Sequence, residues 1–275
     1  MTSTDIPAGM RLKDLAGWNQ TEEDWRRFLR SSPEGCFVAE WDGQAVGTVT
    51  NIVYGDRFAW IGMVLVDPDF RGRGIGTALL VRAIEYLDSR RIPCMKLDAT
   101  PQGRPIYESL GFLAEYEIER CALDREAGAP VHAPSNGGPA EIENILKFDR
   151  EVFGADRGLL LESLALEAPE FVLAVRNGSV LTGYALGRKG SRADHMGPWA
   201  ASDPDAAATI LNEFLQYSRR DSIFLDVLKD NSWAPEMAAH RGFRSSRNLT
   251  RMYRGVNAYP GRPDLLGAIL GPEFG

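Results

Sequence analysis

Apolar and polar positions along the chain fall into helical and extended stretches in one order, and that order occurs twice. In TEEDWRRFLRSS (21–32), Trp25, Phe28 and Leu29 share one helical face, and Thr21 with Asp24 three residues later reads as an N-cap. CFVAEWDGQAVGTVTNIVY (36–54) is two β-rich runs around Asp42-Gly43, a hairpin signal. FAWIGMVLV (58–66) is a continuous apolar run, expected to be a strand buried on both faces. From Ile75 the apolar positions Ile75, Leu79, Ala83, Ile84 and Leu87 keep helical spacing. PCMKLDAT (93–100) reads as the next strand, PIYESLGF (105–112) as a short helix and AEYEIERCAL (114–123) as an alternating strand, with a further short strand expected at 10–12. The order β, α, β, β, β, α, β, α, β predicts an α+β arrangement around one mixed sheet.

The second half repeats this order. EIENILKFDREVFG (141–154) is helical, and FVLAVRNGSVLTGYALG (171–187) is a hairpin pattern with Asn177-Gly178 in place of Asp42-Gly43. A strand, an Asp-Pro and a helix follow in HMGPWAASDPDAAATILNEFLQYSRR (195–220), then a strand over 222–230, a helix in WAPEMAAHRGF and a strand in RNLTRMYRG. LDATPQGRPIYESLGF (97–112) and LDVLKDNSWAPEMAAHRGF (225–243) are the two copies of one ending. Between the halves lies a stretch rich in Gly, Pro, Ala and Asn with no periodicity. The expected organisation is therefore a domain at 1–127, a linker at 128–140, a second domain at 141–257 and a Gly/Pro-rich tail at 258–275 that packs loosely.

Net charge is −7 and the pI about 5.2, which argues against a nucleic-acid binder and fits weakly with a cationic substrate. Cys36, Cys94 and Cys121 form no CxxC and no metal-ligand spacing, so reduced thiols in a cytoplasmic protein are expected, with no metal. The first ten residues lack the charged and apolar regions of a signal peptide, and no run of about 20 apolar residues suggests a membrane span.

The candidate chemistry lies in VDPDFRGRGIGTALL (66–80), where Gly72, Gly74 and Gly76 alternate directly before a helix. Glycine permits positive φ and a close backbone approach. The first N–H groups of a helix have no partner within it and sit at the positive end of its dipole. Together they make a nest for phosphate or pyrophosphate, with Arg71 and Arg73 adding charge. The spacing is neither the dinucleotide fingerprint nor a P-loop, and by itself it also fits a tight turn without a ligand.

Arg71-Gly72-Arg73-Gly74-Ile75-Gly76 after Val66-Asp67-Pro68 resembles the GCN5-related N-acetyltransferase (GNAT) superfamily signature, Arg/Gln-x-x-Gly-x-Gly/Ala after a strand ending Val-x-Pro. The family's second signature, a polar position followed by a Tyr and Gly-Phe, is matched by ATPQGRPIYESLGF. The resemblance implies two tandem acyl-CoA N-acyltransferase (GNAT) folds, each a mixed, mostly antiparallel sheet flanked by helices. It implies acetyl-CoA as co-substrate, its pyrophosphate on the backbone of Arg71, Gly72, Arg73, Gly74, Ile75, Gly76 and Thr77. The preceding strand is then expected to splay from its neighbour, with Val64 N–H facing the acetyl carbonyl and Val66 the pantetheine.

By the same resemblance Tyr107 is the general acid for the departing thiolate, and Thr100 stands where the family often has Asn. The strand that carries a Glu base in many relatives has no ionisable residue here; Asp98 is a candidate for base or amine anchor, or simply a strand-end cap. Trp18 and Trp25 occupy the substrate-side lid segment and are candidates for the pocket or for the core. In the second copy the loop reads SDPDAAATILNEFL, with no glycine or arginine and with Asp205 where phosphates would lie, and Ala238 replaces the tyrosine. No acetyl-CoA is expected in that half. FGADR and RNLTRM extend the resemblance to tandem GNAT proteins, whose degenerate copy tends to close the substrate pocket; Arg157, Tyr184, His195 and Asp226 are the candidates to line it. The expected activity is acetyl transfer to a primary amine of a small molecule by direct attack, in a monomer that mimics a dimer or in a weak dimer. Acetylation of protein lysines or N-termini, or a non-catalytic acetyl-CoA sensor, are the alternatives.

Overall fold

The computed structural model describes residues 1–125 and 137–275, so residues 128–136 of the expected linker lie outside the described residues. The chain forms two compact units. The first comprises Met1–Ala114, Met252–Ala258 and Phe274; the second comprises Glu115–Arg251, Tyr259–Glu273 and Gly275.

In the first unit, α1 (Ile6–Leu15) and α2 (Glu22–Ser31) precede a sheet of β1 (Phe37–Trp41), β2 (Gln44–Tyr54), β3 (Phe58–Val66) and β4 (Cys94–Ala99). The short strand expected at 10–12 is instead part of α1. Pro7 pre-sets the first helical turn, and Ile6, Gly9, Leu12 and Lys13 recur at helical spacing on the buried side. In α2 the expected cap is a reciprocal one: Asp24 Oδ2 accepts from the Thr21 N–H at 2.8 Å, and Thr21 Oγ1 accepts from the Asp24 N–H at 3.4 Å. The two helices meet closely, since a β-carbon on Gly9 would lie 2.8 Å from the Trp25 ring. Asp42 and Gly43 both take positive φ at the β1–β2 turn, as a two-residue hairpin requires. β1, β2 and β3 pair antiparallel, whereas β3 and β4 are parallel and joined through α3 (Ile75–Ser89). Leu79, Leu80, Ala83 and Leu87 of α3 pack on Val49, Ala59, Ile61, Met95 and Leu97 of the sheet. Burial of each such large side chain contributes about 1.5–3 kcal/mol. After β4 comes the short helix α4 (Arg104–Ser109).

The second unit takes in β5 (Leu113–Asp124) from Glu115 onward, then α5 (Ile142–Phe153), α6 (Gly158–Glu167), β6 (Leu173–Asn177), β7 (Val180–Lys189), β8 (Asp194–Ala201), α7 (Pro204–Tyr217), β9 (Ser222–Leu228), α8 (Ala234–His240), β10 (Arg244–Gly255) and β11 (Leu266–Ala268). Its strands run in the order β10, β5, β9, β11, β8, β7, β6, with residues 244–251 of β10 at one end. β5, which the repeat pattern groups with the first half, pairs antiparallel with β9 from Ile118↔Leu228 to Asp124↔Ser222. In the first unit, the place beside β4 is taken by the end of β10, residues 252–255. Core packing in the second unit centres on Ile210, Leu211 and Phe214 of α7 against Met196, Trp199, Leu225 and Val227.

The tail expected to pack loosely does so only at its start, where 258–264 are largely exposed; from Leu266 onward it is almost all buried. Ala268, Ile269 and Leu270 are essentially inaccessible, and Leu266–Ala268 forms β11 between β8 and β9. Glycine and proline there allow a close-fitting path rather than disorder: a β-carbon on Gly267 would lie 2.3 Å from the Trp233 ring.

Candidate active site

β3 changes character halfway along. It pairs with β2 as Thr50↔Gly62 and then Thr48↔Leu65, so it carries one residue more than its partner in that interval. This bulge puts Met63 at φ +51°, and Thr48 Oγ1 donates to its carbonyl at 2.9 Å. On the opposite edge, pairing with β4 stops at Trp60↔Lys96, although β3 runs on to Val66 and β4 to Ala99. The two strands part, and among the described residues no strand of the unit lies between them. Half-buried Val64 and Val66 sit on the open stretch.

The turn after β3 is tied down before the loop begins. Asp67 Oδ2 accepts from Arg11 Nη1 at 2.5 Å, Asp67 Oδ1 accepts from the Asp69 N–H at 3.1 Å, and Arg11 Nη2 donates to the Ala45 carbonyl at 2.8 Å. The hydrogen bond from Arg11 holds the Asp67 carboxyl below its ordinary value. The loop then turns on Gly72 and Gly74, at φ +76° and +78°, and a β-carbon at either would meet nothing within 4 Å. Gly74 is the N-cap of α3 and supplies no side-chain acceptor, and the first turn of the helix carries no acidic residue. The N–H groups of this turn thus keep their capacity for an outside acceptor. Arg71, Gly72, Arg73, Gly74 and Thr77 are exposed, and Ile75 and Gly76 half-buried. The Arg71 Nε donates to the Val66 carbonyl at 3.2 Å, and the Arg73 guanidinium rests against Trp41 and Phe70 at 5.3 and 5.2 Å from the ring centroids.

Across the parting, β4 leads into α4. Tyr107 packs edge-on against Phe112 with centroids 6.2 Å apart, and burial pushes its phenol up to about 12. Thr100, at the end of β4, accepts the Gly103 N–H through Oγ1 at 3.2 Å and the Gly103 and Arg104 N–H groups through its carbonyl, so it shapes the turn into α4. Asp98 is half-buried at the end of β4, on the face opposite Leu97 and Ala99, which join the α3 core. Trp18 is half-buried, its main-chain N–H donating to the Lys13 carbonyl; Trp25 is fully buried and edge-on to Phe28 at 6.0 Å. In the first unit Val64 and Val66 lie on the stretch of β3 beyond its pairing with β4, the loop 71–77 follows β3, and Asp98, Thr100 and Tyr107 follow one another along β4, the turn after it and α4. Thr48 and Arg11, which hold the bulge and the turn, carry no motif and were visible only once the strands were registered.

The four second-unit candidates belong to two buried networks. Arg157 makes a two-pronged pair with Asp149 at 3.0 and 2.8 Å and donates to the Gly275 carbonyl at 2.6 Å, while Tyr184 Oη donates to Asp149 at 2.6 Å. Asp226, with no accessible surface, receives Arg120 through two hydrogen bonds of 2.7 and 2.6 Å and has His195 Nε2 at 3.1 Å. Burial pushes the Asp226 carboxyl up, but Arg120 and His195 outweigh it and hold the group well below the usual range. Burial pushes His195 down. Arg188 Nη2 lies 3.2 Å from His195 Nδ1 and can only donate, so Nδ1 accepts and the neutral ring carries its proton on Nε2, facing Asp226. Arg188 in turn pairs with Glu273. At the start of α7, Asp203 Oδ1 accepts the Ala206 N–H at 2.8 Å, so the position equivalent to the open α3 terminus is capped by the chain's own carboxylate.

The sequence pattern of the Acetyltransferase (GNAT) family matches residues 10–112, and that of the Acetyltransferase (GNAT) domain matches residues 145–266. The chain is 37% identical over 112 residues to Acetyltransferase ECA0875 of Pectobacterium atrosepticum, covering 39% of this chain and 74% of that protein. It is 24% identical over 261 residues to the holothin acyltransferase of Pseudoalteromonas sp. (strain SANK 73390), covering 94% of this chain and 87% of that protein. Among solved structures, a protein of Pyrococcus horikoshii provisionally described as an acetyltransferase superposes with a TM-score of 0.83 at 24% identity, over 100% of this chain and 94% of that one. A GCN5-related N-acetyltransferase from Sphaerobacter thermophilus superposes with a TM-score of 0.66 at 18% identity, over 95% of each chain. The chain belongs to the GNAT acetyltransferase family and carries a GNAT domain in each half. It is an acetyltransferase, and its fold family uses acetyl-CoA. Among the described residues no helix is long and apolar enough to cross a membrane.

Proposed function

We propose that the first unit transfers acetyl from acetyl-CoA to a primary amine of a small molecule, and that the second unit does no chemistry. The observation that carries this reading is the uncapped, glycine-lined N-terminus of α3 at the end of β3, whose pairing with β4 stops short. The backbone of 71–77 holds the pyrophosphate, and the edge of β3 beyond its pairing with β4 holds the pantetheine through Val66 and the thioester carbonyl through Val64 N–H. That donor strengthens its bond as negative charge builds on the oxygen under attack. The neutral amine attacks the carbonyl carbon directly, with Asp98 anchoring it or taking its proton through water.

Tyr107 donates a hydrogen bond to the departing sulfur. Burial pushes its phenol up to about 12, so its role is a hydrogen bond that stabilises charge on the sulfur. As the C–S bond breaks, nitrogen loses the one proton that amide formation releases and sulfur gains one, carried between them by Asp98 and water, so the step balances and Tyr107 keeps its own proton. Trp18, half-buried, stays the aromatic candidate for the substrate side of the first unit, whereas Trp25, fully buried against Gly9 and Phe28, belongs to the core. The acceptor class is supported by the relative that matches nearly the whole chain, which is named for holothin rather than for a protein.

Thiol release from acetyl-CoA, measured against polyamines, aminoglycosides, arylalkylamines, amino acids and lysine peptides, tests the reading. Turnover with one class of small amine is expected. Turnover with the lysine peptides alone moves the acceptor to proteins, and tight acetyl-CoA binding without turnover on any amine overturns catalysis in favour of a sensor.

A further inference from the structure

The second unit repeats the geometry that opens the first. β7 and β8 pair as Ala185↔Trp199 and then Gly187↔Met196, so β8 carries the same extra residue that β3 carries. β8 and β9 pair in parallel through Asp194↔Ile223, His195↔Phe224 and Met196↔Leu225, and the parallel ladder then ends. In the first unit the corresponding gap is open. Here β11 lies in it, antiparallel to both walls: Leu266 faces Ala200 and Ala268 faces Trp199 on β8, and Ala268 faces Val227 on β9. The Ala201 N–H donates to the Leu265 carbonyl and the Ile269 N–H to the Asp226 carbonyl, each at 3.0 Å.

We propose that β11 is a built-in occupant of the second unit's acyl-donor slot: the chain's own backbone lies where that fold leaves room for the amide-bearing arm of an acyl thioester, so the protein takes up one donor molecule, not two. The fit is specific in shape. A β-carbon on Gly197 would come 2.0 Å from the Ile269 carbonyl oxygen, and one on Gly267 would enter the Trp233 ring. It is also specific in chemistry, because an extended peptide and a pantetheine arm both offer amide donors and acceptors to the exposed edges of two parted strands. Asn231 Nδ2 fastens the insert, donating to the Leu266 carbonyl at 3.2 Å and the Asp264 carbonyl at 3.3 Å. Beyond it, the Arg188–Glu273 pair and the Arg157 bond to Gly275 hold the following residues. A segment attached to the same chain acts at a local concentration that free donor does not match. The slot is thus closed twice, by β11 between the strands and by Asp203 at the start of α7.

The count of one donor rests on the function proposed for the first unit, but occupancy of the slot is measured separately. Hydrogen exchange on the full chain should show the amides of 265–270 protected at least about 100-fold over an unstructured peptide. Saturating acetyl-CoA should add protection at 62–66 and 71–77 and none at 197–201 or 265–270, and calorimetry should give one equivalent bound. Gly267→Val should raise exchange in 265–270 and 197–201 together by about tenfold or more. Asn231→Asp is the milder probe, since it keeps the acceptor that caps α8 and removes the donor to Leu266; it should do the same to a smaller extent. Rapid exchange of 265–270 in the parent chain, a second equivalent of acetyl-CoA, or loss of protection at 265–270 on adding acetyl-CoA each overturns the proposal. No binding of acetyl-CoA at all defeats the function proposed above and leaves the exchange comparison to judge the slot.

Discussion

Gly74 provides the sharpest separation of ligand binding from backbone strain. It takes φ +78° at the N-terminus of α3, and Gly55 takes φ +62° at the turn between β2 and β3, at the other end of β3. A β-carbon on either meets no atom within 4 Å, so neither substitution by alanine creates a clash inside the protein. Both carry the cost of an L-residue in the left-handed region, about 1–2 kcal/mol. Urea melts should therefore show similar losses of stability for Gly74→Ala and Gly55→Ala. Their affinities should differ, because the Gly74 β-carbon stands in the space through which an anion reaches the helix N–H groups. Loss of even one such charge-assisted hydrogen bond is worth about 1.5–3 kcal/mol, at least about a tenfold rise in Kd. Calorimetric titration with acetyl-CoA measures it directly: Gly74→Ala weakened by tenfold or more, Gly55→Ala within twofold of the parent. Equal affinity in the two variants would refute the assignment of the loop, since strain alone would then account for everything.

Tyr107→Phe should lower kcat by about 10–1,000-fold while acetyl-CoA affinity stays within twofold, because the hydroxyl acts on a sulfur that carries charge only during the reaction; an unchanged kcat removes it from the mechanism. With its phenol near 12, kcat should show no descending limb from Tyr107 below about pH 10. Asp226→Ala leaves the Arg120 guanidinium buried without its counter-charge and should destabilise the second unit by about 3–5 kcal/mol, read from Trp fluorescence during urea unfolding. His195 titrates lower folded than unfolded, so the unfolded chain binds more protons as pH falls below about 6.5, and stability declines from there downward. Asp226 adds a second decline as pH drops below about 4, for the same reason. His195→Gln should flatten the stability curve between pH 5 and 7, and an unflattened curve places the proton uptake on another group.

The elements of the site were largely legible in the linear pattern, because each depends on neighbours in sequence. Three glycines before an apolar helical run define an uncapped helix start wherever the fold places it, and replacement by SDPDAAATIL defines a capped one. The short strand expected at 10–12 failed because Met10, Arg11 and Leu12 taken alone lack a period, while Ile6, Gly9, Leu12 and Lys13 taken together have a helical one. Trp25, Arg157, Tyr184, His195 and Asp226 were visible as residue types, but their burial and partners come from strands and helices far apart in sequence.

By itself the sequence determined the duplicated order of elements, the GNAT character of both halves and the asymmetry of their phosphate loops, since these follow from local periodicity, turn chemistry and helix-end residues. Only the tertiary structure decided which strand lies beside which. β5 follows the first half in the chain yet pairs with β9 of the second unit, and nothing local in its sequence names that partner. The same holds for Leu266–Ala268: three small or apolar residues in a Gly/Pro-rich stretch read as a loose tail until β8 and β9 part and leave a gap of their width. Hydrogen bonds between strands join residues that are remote in the chain, and backbone groups carry no side-chain signature, so that choice is made by the assembled sheet.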